Sequence, residues 1–166
     1  MIIKNNTVSI IYILSYEEDF IKESFEGLIN QKNISEIFFI NALDIDLNDY
    51  LKEINYKIKI KILEKNDLIE NINYALSESE SEFISIVRSD EILINGAISS
   101  LSEKLKEDNK LNIVWGFSNY LDRSNNYLGY ELTDCKTDFY ENLKEPYKEL
   151  RSASFLIRKS FFKELG

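Results

Sequence analysis

Phe83–Leu93, FISIVRSDEIL, is the stretch on which the reading of this chain turns. Mostly apolar residues, Phe83–Val87, run into Arg88, Ser89 and an acidic pair, Asp90-Glu91; an apolar step follows at Ile92-Leu93. A short apolar run bounded by polar residues reads as a strand covered on both faces. In an α/β protein the ligand site lies just beyond the carboxyl ends of such strands. An acidic pair there can hold a divalent cation and, with it, a phosphorylated ligand. Arg88 complicates that chemistry, because a guanidinium close to carboxylates competes for the same oxygens.

Working outward, Val8–Leu14 (VSIIYIL) is a second continuous apolar run, so both it and Phe83–Val87 are expected inside a sheet. Phe20, Ile21, Phe25, Leu28 and Ile29 repeat at helical spacing, with Glu17, Glu18 and Asp19 where a first turn favours carboxylates. Ile34–Ile40 reads as a strand and Ile45–Ile54 as a short helix. Ile58–Leu63 (IKIKIL) alternates strictly, which suits a strand near an edge. Asp67–Ser77 and Ala97–Leu105 read as helices, and Asn112–Phe117 and Tyr127–Glu131 as strands, with a turn at Asn125-Asn126. Phe155–Ile157 is a last strand and Lys159–Leu165 a last helix. The serine–glutamate run at 77–82 reads as a solvated helix end and turn. Strands alternating with helices predict an α/β sandwich with a mainly parallel mixed sheet.

The bulk numbers bound the function. The chain has 166 residues, 44% of them hydrophobic, enough for a single domain over 1–166 with a real core. The net charge of −9 argues against nucleic acid and anionic membrane as partners. It would also repel a nucleoside diphosphate unless a metal or a local basic group offset it. Cys135 is the only cysteine and histidine is absent, so there is no disulfide framework, no thiolate cluster and no imidazole base. Without a histidine partner, Ser152 and Ser154 cannot form a serine-hydrolase triad. Five glycines, none suitably spaced, make no phosphate loop. No apolar run suits a signal peptide or membrane span, so a cytoplasmic location with no transmembrane segment is expected. The wealth of Asn, Ile, Lys and Tyr suggests an AT-rich bacterial genome.

Taken in order, these segments resemble the family 2 glycosyltransferases of the GT-A fold. VSIIYILSYEEDFIKESFEGLINQ (8–31) is similar to the family's opening strand, turn and helix ending in leucine–x–asparagine–glutamine, here Leu28-Ile29-Asn30-Gln31. SEIFFINALD (35–44) corresponds to its second strand. LEKNDLIENINYALSESESEFISIVRSDEIL (63–93) corresponds to the segment ending in the metal motif, with Asn66 and Asn73 matching. Residues 94–122 resemble the helix and strand that follow, and SASFLIRKSFFKELG (152–166) the late strand and helix entry. No single motif is specific; their order and spacing carry the resemblance.

The resemblance implies a GT-A-like (Rossmann-like) α/β/α sandwich. It implies transfer of a sugar from a nucleotide-sugar donor, UDP-linked on this reading, to a glycan, lipid or protein acceptor. The donor-binding residues would be Ser15, Tyr16, Glu17, Asn41, Asn66, Asn73, Arg88 and Ser89, with Asp90 and Glu91 facing a metal, Mn²⁺ or Mg²⁺. Departures cluster at that site. Asn41 replaces an aspartate, Ile72 an arginine, and Arg88 the first aspartate of the metal motif, so metal binding is expected to be weak or absent. Arg88 has three readings: it pairs with Asp90 or Glu91 in the space of the ion, it binds phosphate directly, or it points into solvent. The family's catalytic base would fall beyond Gly166, so a fragment without transfer activity is expected.

Two other readings stand beside this one. One is a non-catalytic GT-A-like binding or assembly module in a glycosylation system. The other is a doubly wound nucleotide-binding regulatory domain, which the lack of glycine-rich turns disfavours. Trp115, Phe117, Tyr120, Tyr127 and Tyr130 either line an acceptor cleft or fill the core.

Overall fold

A computed structural model describes residues 4–14, 20–55, 57–64, 67–131 and 155–165. The strands are β1 (Lys4–Leu14), β2 (Ile34–Asn41), β3 (Lys59–Glu64), β4 (Ser81–Arg88), β5 (Ile113–Trp115), β6 (Ser118–Leu121), β7 (Tyr127–Glu131) and β8 (Phe155–Arg158). The helices are α1 (Ile21–Ile29), α2 (Asn48–Glu53), α3 (Leu68–Glu78), α4 (Ala97–Glu107) and α5 (Lys159–Leu165).

Among the described residues six strands form one sheet, ordered β3-β2-β1-β4-β8-β5. β2 and β4 flank β1 and run parallel to it, and β3 is parallel to β2. β8 is antiparallel to both β4 and β5. The mainly parallel mixed sheet is therefore as expected, with Val8–Leu14 and Phe83–Val87 inside it and the alternating IKIKIL strand at its edge. β6 and β7 pair as a separate antiparallel hairpin.

The layers follow from the period-2 alternation of β1. Val8, Ile10, Tyr12 and Leu14 face one core with Ile21, Phe25 and Leu28 of α1, Ile98 and Leu105 of α4, and Tyr50 and Leu51 of α2. Ile11 and Ile13 face the other, with Ile72 and Ala75 of α3 and Phe162 of α5. Helices on both faces explain why the carboxyl half of β1, Ile10–Leu14, is an unbroken apolar run. α3 begins where the Asp67 carboxylate accepts from the amides of Ile69 (2.8 Å) and Glu70 (3.0 Å), an N-cap that stabilises by about 1 kcal/mol. α4 begins after Gly96, whose φ of 83° places it in the left-handed region.

Three expectations need correction. The helix expected over Ile45–Ile54 is only Asn48–Glu53, because the residues before it are drawn into side-chain turns: Asp46 Oδ1 accepts from the Asn48 amide at 2.9 Å. The strand expected over Asn112–Phe117 stops at Trp115, and Ser118–Leu121 leaves for the hairpin with β7. The serine–glutamate run is no solvated turn: Ser79 and Ser81 are wholly buried, and Ser81 opens β4.

The buried serines surround Glu36, which the β1–β2 register sets beside Ser9. Glu36 is 4% exposed. Its Oε1 accepts from the hydroxyls of Ser9, Ser79 (3.2 Å) and Ser81 (3.1 Å) and from the amides of Glu80 (2.7 Å) and Ser81 (3.1 Å). Lys159, at the start of α5, reaches in and donates to the Ser79 carbonyl. This cluster lies toward the amino end of the sheet, about 17 Å along β1 from its carboxyl end at ~3.3 Å per residue.

Candidate functional site

β1, β2, β3 and β4 are parallel, so Leu14, Asn41, Glu64 and Arg88 all end on one edge of the sheet. The register sets Arg88 beside Ile13, and Asn41 between Leu14 and Glu64. Of the residues singled out from sequence, Asn41, Arg88, Ser89, Asp90 and Glu91 share this edge. Asn73 is exposed in the second turn of α3. Ser15, Tyr16, Glu17 and Asn66 lie outside the described residues, as do Glu18 and Asp19.

The turn after β4 is built almost entirely from its own groups. Arg88 grips Asp90 in a fork, with Nε to Oδ1 at 3.1 Å and Nη2 to Oδ2 at 2.9 Å. The two side chains are 30% and 27% exposed. Glu91 turns back on the same loop: its Oε2 accepts from the Arg88 amide at 2.8 Å, and its amide donates to the Arg88 carbonyl at 3.0 Å. Of the three readings of Arg88, the pair with Asp90 is the one the geometry realises. Each carboxylate is thus committed within the turn. Among the described residues no three acidic or cysteine side chains are grouped to hold a metal ion. In this arrangement the acidic pair does not fit a cation that takes six oxygens, since binding one would first have to strip Arg88 from Asp90.

α1 fixes that turn from behind, through residues whose part in the site the sequence did not disclose. Ser24 is wholly buried; its Oγ accepts from the Tyr12 hydroxyl at 2.9 Å and reaches the carbonyls of Glu91 (2.6 Å) and Arg88 (3.3 Å). Burial, more than any charged neighbour, pushes the Tyr12 hydroxyl up to about 12, so it stays a neutral donor. One turn on, a Cβ at Gly27 would lie 2.9 Å from the Leu93 carbonyl oxygen, so only glycine lets α1 approach so closely. Beyond the helix end, the Gln31 amide donates to the carbonyls of Gly27 and Ile94, both at 2.9 Å, and accepts from the Ile98 amide at 3.2 Å. Gln31 closes the Leu28-Ile29-Asn30-Gln31 motif, and its structural task is to hold the loop leading into α4. The available signal was the spacing of Ser24, Gly27, Leu28 and Gln31 along one helical face.

Two further candidates are placed less directly. The Asn41 side chain closes its own loop: Nδ2 donates to the Ile45 carbonyl (2.9 Å) and Oδ1 accepts from the Ile45 amide (3.2 Å). The Ser89 amide donates to the Ile13 carbonyl at 2.9 Å, while its hydroxyl is buried with no hydrogen-bond partner. Beside the edge, the β6–β7 turn leans on α1, with Asn125 Nδ2 at 3.2 Å from both carboxylate oxygens of Glu23. Phe20, Glu23, Arg123 and Asn125 line a cavity of about 90 Å³ there. That is below the roughly 300 Å³ at which ligand pockets begin. Phe117 and Tyr127, 75% and 59% exposed, do not fill the core.

Solved structures share this architecture. The chain aligns with S. aureus TarS residues 1–349 at 17% identity and a TM-score of 0.58, covering 96% of this chain and 49% of that one. For the same protein in complex with UDP-GlcNAc the values are 15%, 0.59, 96% and 47%. For the mannosyltransferase PcManGT from Pyrobaculum calidifontis, in complex with GDP-Man and Mn²⁺, they are 13%, 0.64, 96% and 46%. The chain therefore spans a little under half the length of these neighbours. At such identities the likeness establishes the fold, which is GT-A. No curated protein matches the sequence. The sequence profile of glycosyl transferase family 2, however, matches residues 9–166. With a family match over nearly its whole length, the chain belongs to the family 2 glycosyltransferases.

Proposed function

We propose that this chain is the donor-binding part of a glycosyltransferase that moves a sugar from a nucleoside-diphosphate sugar to a hydroxyl of a glycan, lipid or protein. The observation that carries the reading is the polar edge where β1, β2, β3 and β4 end together, its β4 turn braced by Ser24, Gly27 and Gln31 of the α1 region. A loop so braced is preorganised, which lowers the entropy lost when a ligand is bound. TarS and PcManGT were solved with UDP-GlcNAc and GDP-Man, which supports a nucleotide-linked donor; we favour a UDP-linked one.

In this reading Ser15, Tyr16, Glu17, Asn41, Asn66 and Asn73 serve the nucleotide, and Arg88, Ser89, Asp90 and Glu91 lie toward the diphosphate. Among the described residues no helix is long and apolar enough to cross a membrane, and we place the protein in the cytoplasm. Calorimetric titration with UDP, GDP, UDP-GlcNAc and GDP-mannose tests the reading. Saturable binding of at least one is expected, and no binding by any of the four overturns it.

A second reading, a non-catalytic binding or assembly module of the same fold, is favoured by the Arg88–Asp90 fork, which commits a carboxylate of the metal motif to an internal partner. Protein-dependent transfer of sugar from a nucleotide donor by the full-length protein would exclude it.

A further inference from the structure

We infer that the diphosphate of the donor is met in this protein by the Arg88 guanidinium, standing where a divalent cation would otherwise be needed, so that donor binding is independent of metal. The inference rests on the donor-binding reading above and adds to it the charge that makes the site work.

The argument begins with the charge balance. The chain carries −9, and a nucleoside diphosphate brings further negative charge to an edge that already holds Asp90 and Glu91. Some positive charge must offset the repulsion. The geometry supplies one at the end of β4. Arg88 is held in place by the two-point fork from Asp90, and its backbone is fixed by Glu91 and Ser24. Arginine is always protonated, and its planar fork matches phosphate oxygens.

The same contacts make a metal hard to seat. Both oxygens of Asp90 face the guanidinium, and Glu91 Oε2 faces the Arg88 amide. A dication would have to approach a fixed positive charge, take Asp90 from it, and leave Arg88 without that partner. The fork is also partly exposed, so it holds weakly and can yield to a stronger anion. A diphosphate with two or more negative charges is such an anion. Binding then amounts to partner exchange: Arg88 turns some or all of its hydrogen bonds from Asp90 to phosphate, with no covalent bond made or broken.

The test is calorimetry on the full-length protein with UDP, GDP, UDP-GlcNAc and GDP-mannose, each in EDTA and in Mn²⁺. The affinity for the preferred nucleotide should agree within about twofold between the two conditions, and Arg88→Ala should weaken it in EDTA by about tenfold or more. Arg88→Lys, which keeps charge but loses the fork, should fall between. Titration of Mn²⁺ alone should give no saturation with the parent, and Arg88→Asp should gain Mn²⁺-dependent nucleotide binding. Thermal melts establish that each variant is folded, and Arg88→Lys serves where Arg88→Ala is not. Nucleotide binding seen only with Mn²⁺, or unchanged in Arg88→Ala and Arg88→Lys, overturns the inference and leaves the donor-binding reading intact. Failure of every nucleotide in both conditions overturns both.

Discussion

The two ends of the sheet hold their acids in opposite ways. At the amino end Glu36 is buried, and hydroxyls and amides of the 79–81 segment and of Ser9 converge on one of its oxygens. At the carboxyl end Asp90 is partly exposed and held by one cationic side chain, Arg88. Backbone amides and short buried serine side chains cannot follow a carboxylate elsewhere, whereas a guanidinium on a flexible stem can. The closed end is thus tied by bonds that are costly to leave unmade, and the open end by a partly exposed ion pair that contributes little to stability. In this fold a buried acid and a partly exposed one are told apart by their partners.

Removing Glu36 tests the strong side of the comparison and should have the largest effect. Glu36→Ala strands buried donors and should destabilise by about 3 kcal/mol or more in urea unfolding, with Glu36→Gln losing less. A loss within about 0.5 kcal/mol would place the amino-end cluster on a par with an ordinary surface site.

Gly27→Ala comes next. The added methyl meets the Leu93 backbone, which has little room to move, so a loss of about 1–3 kcal/mol is expected. Faster hydrogen exchange at the Ser89 and Ile98 amides should accompany it. Unchanged exchange would show that the open end does not depend on α1.

Tyr12 links the core to the open end, and its effect is read against pH. Its hydroxyl is raised from 10.0 to about 12 by burial, so the folded state favours the neutral form. That contribution is fully present below pH 10 and is lost as pH rises from there toward 12. The stability difference between parent and Tyr12→Phe should be constant up to pH 10 and narrow above it, and a flat difference across that window would contradict the burial.

Asp90→Asn should do least: about 0–1 kcal/mol by the same urea measurement. A larger loss would mean the fork is as structural as the Glu36 cluster, and the contrast between the two ends would collapse.

Legibility in the sequence followed the range of the interactions. β1 and β4 could be read because burial on both faces writes a continuous apolar run, and β3 because an edge leaves alternation. The Arg88–Asp90 fork was one of the readings open at the outset, since two positions apart on one chain is a local fact. Ser79 and Ser81 were misread because nothing nearby announces Glu36, more than forty residues earlier, as their partner. β6 was missed for a similar reason: Ser118–Leu121 carries little apolar signal of its own and is a strand only because it pairs with β7. The bracing of the β4 turn by Ser24, Gly27 and Gln31 depends on how α1 lies against another segment, which helical spacing alone does not fix.

The position of β8 bears on how the chain is made. β5 is complete by residue 115, yet among the described residues its sheet partner is β8, which begins at Phe155 and also fills the place beside β4. During synthesis β1, β2, β3 and β4 can assemble in order as they emerge, while β5 must wait some forty residues for its neighbour. Over that interval the growing chain presents β4 as an open edge, the kind of template that pairs with strands of other chains. Late insertion of an antiparallel strand is also a high-contact-order event, which slows the last step of folding. The edge beside β4 is therefore left open from the emergence of Arg88 until that of Arg158 from the ribosome.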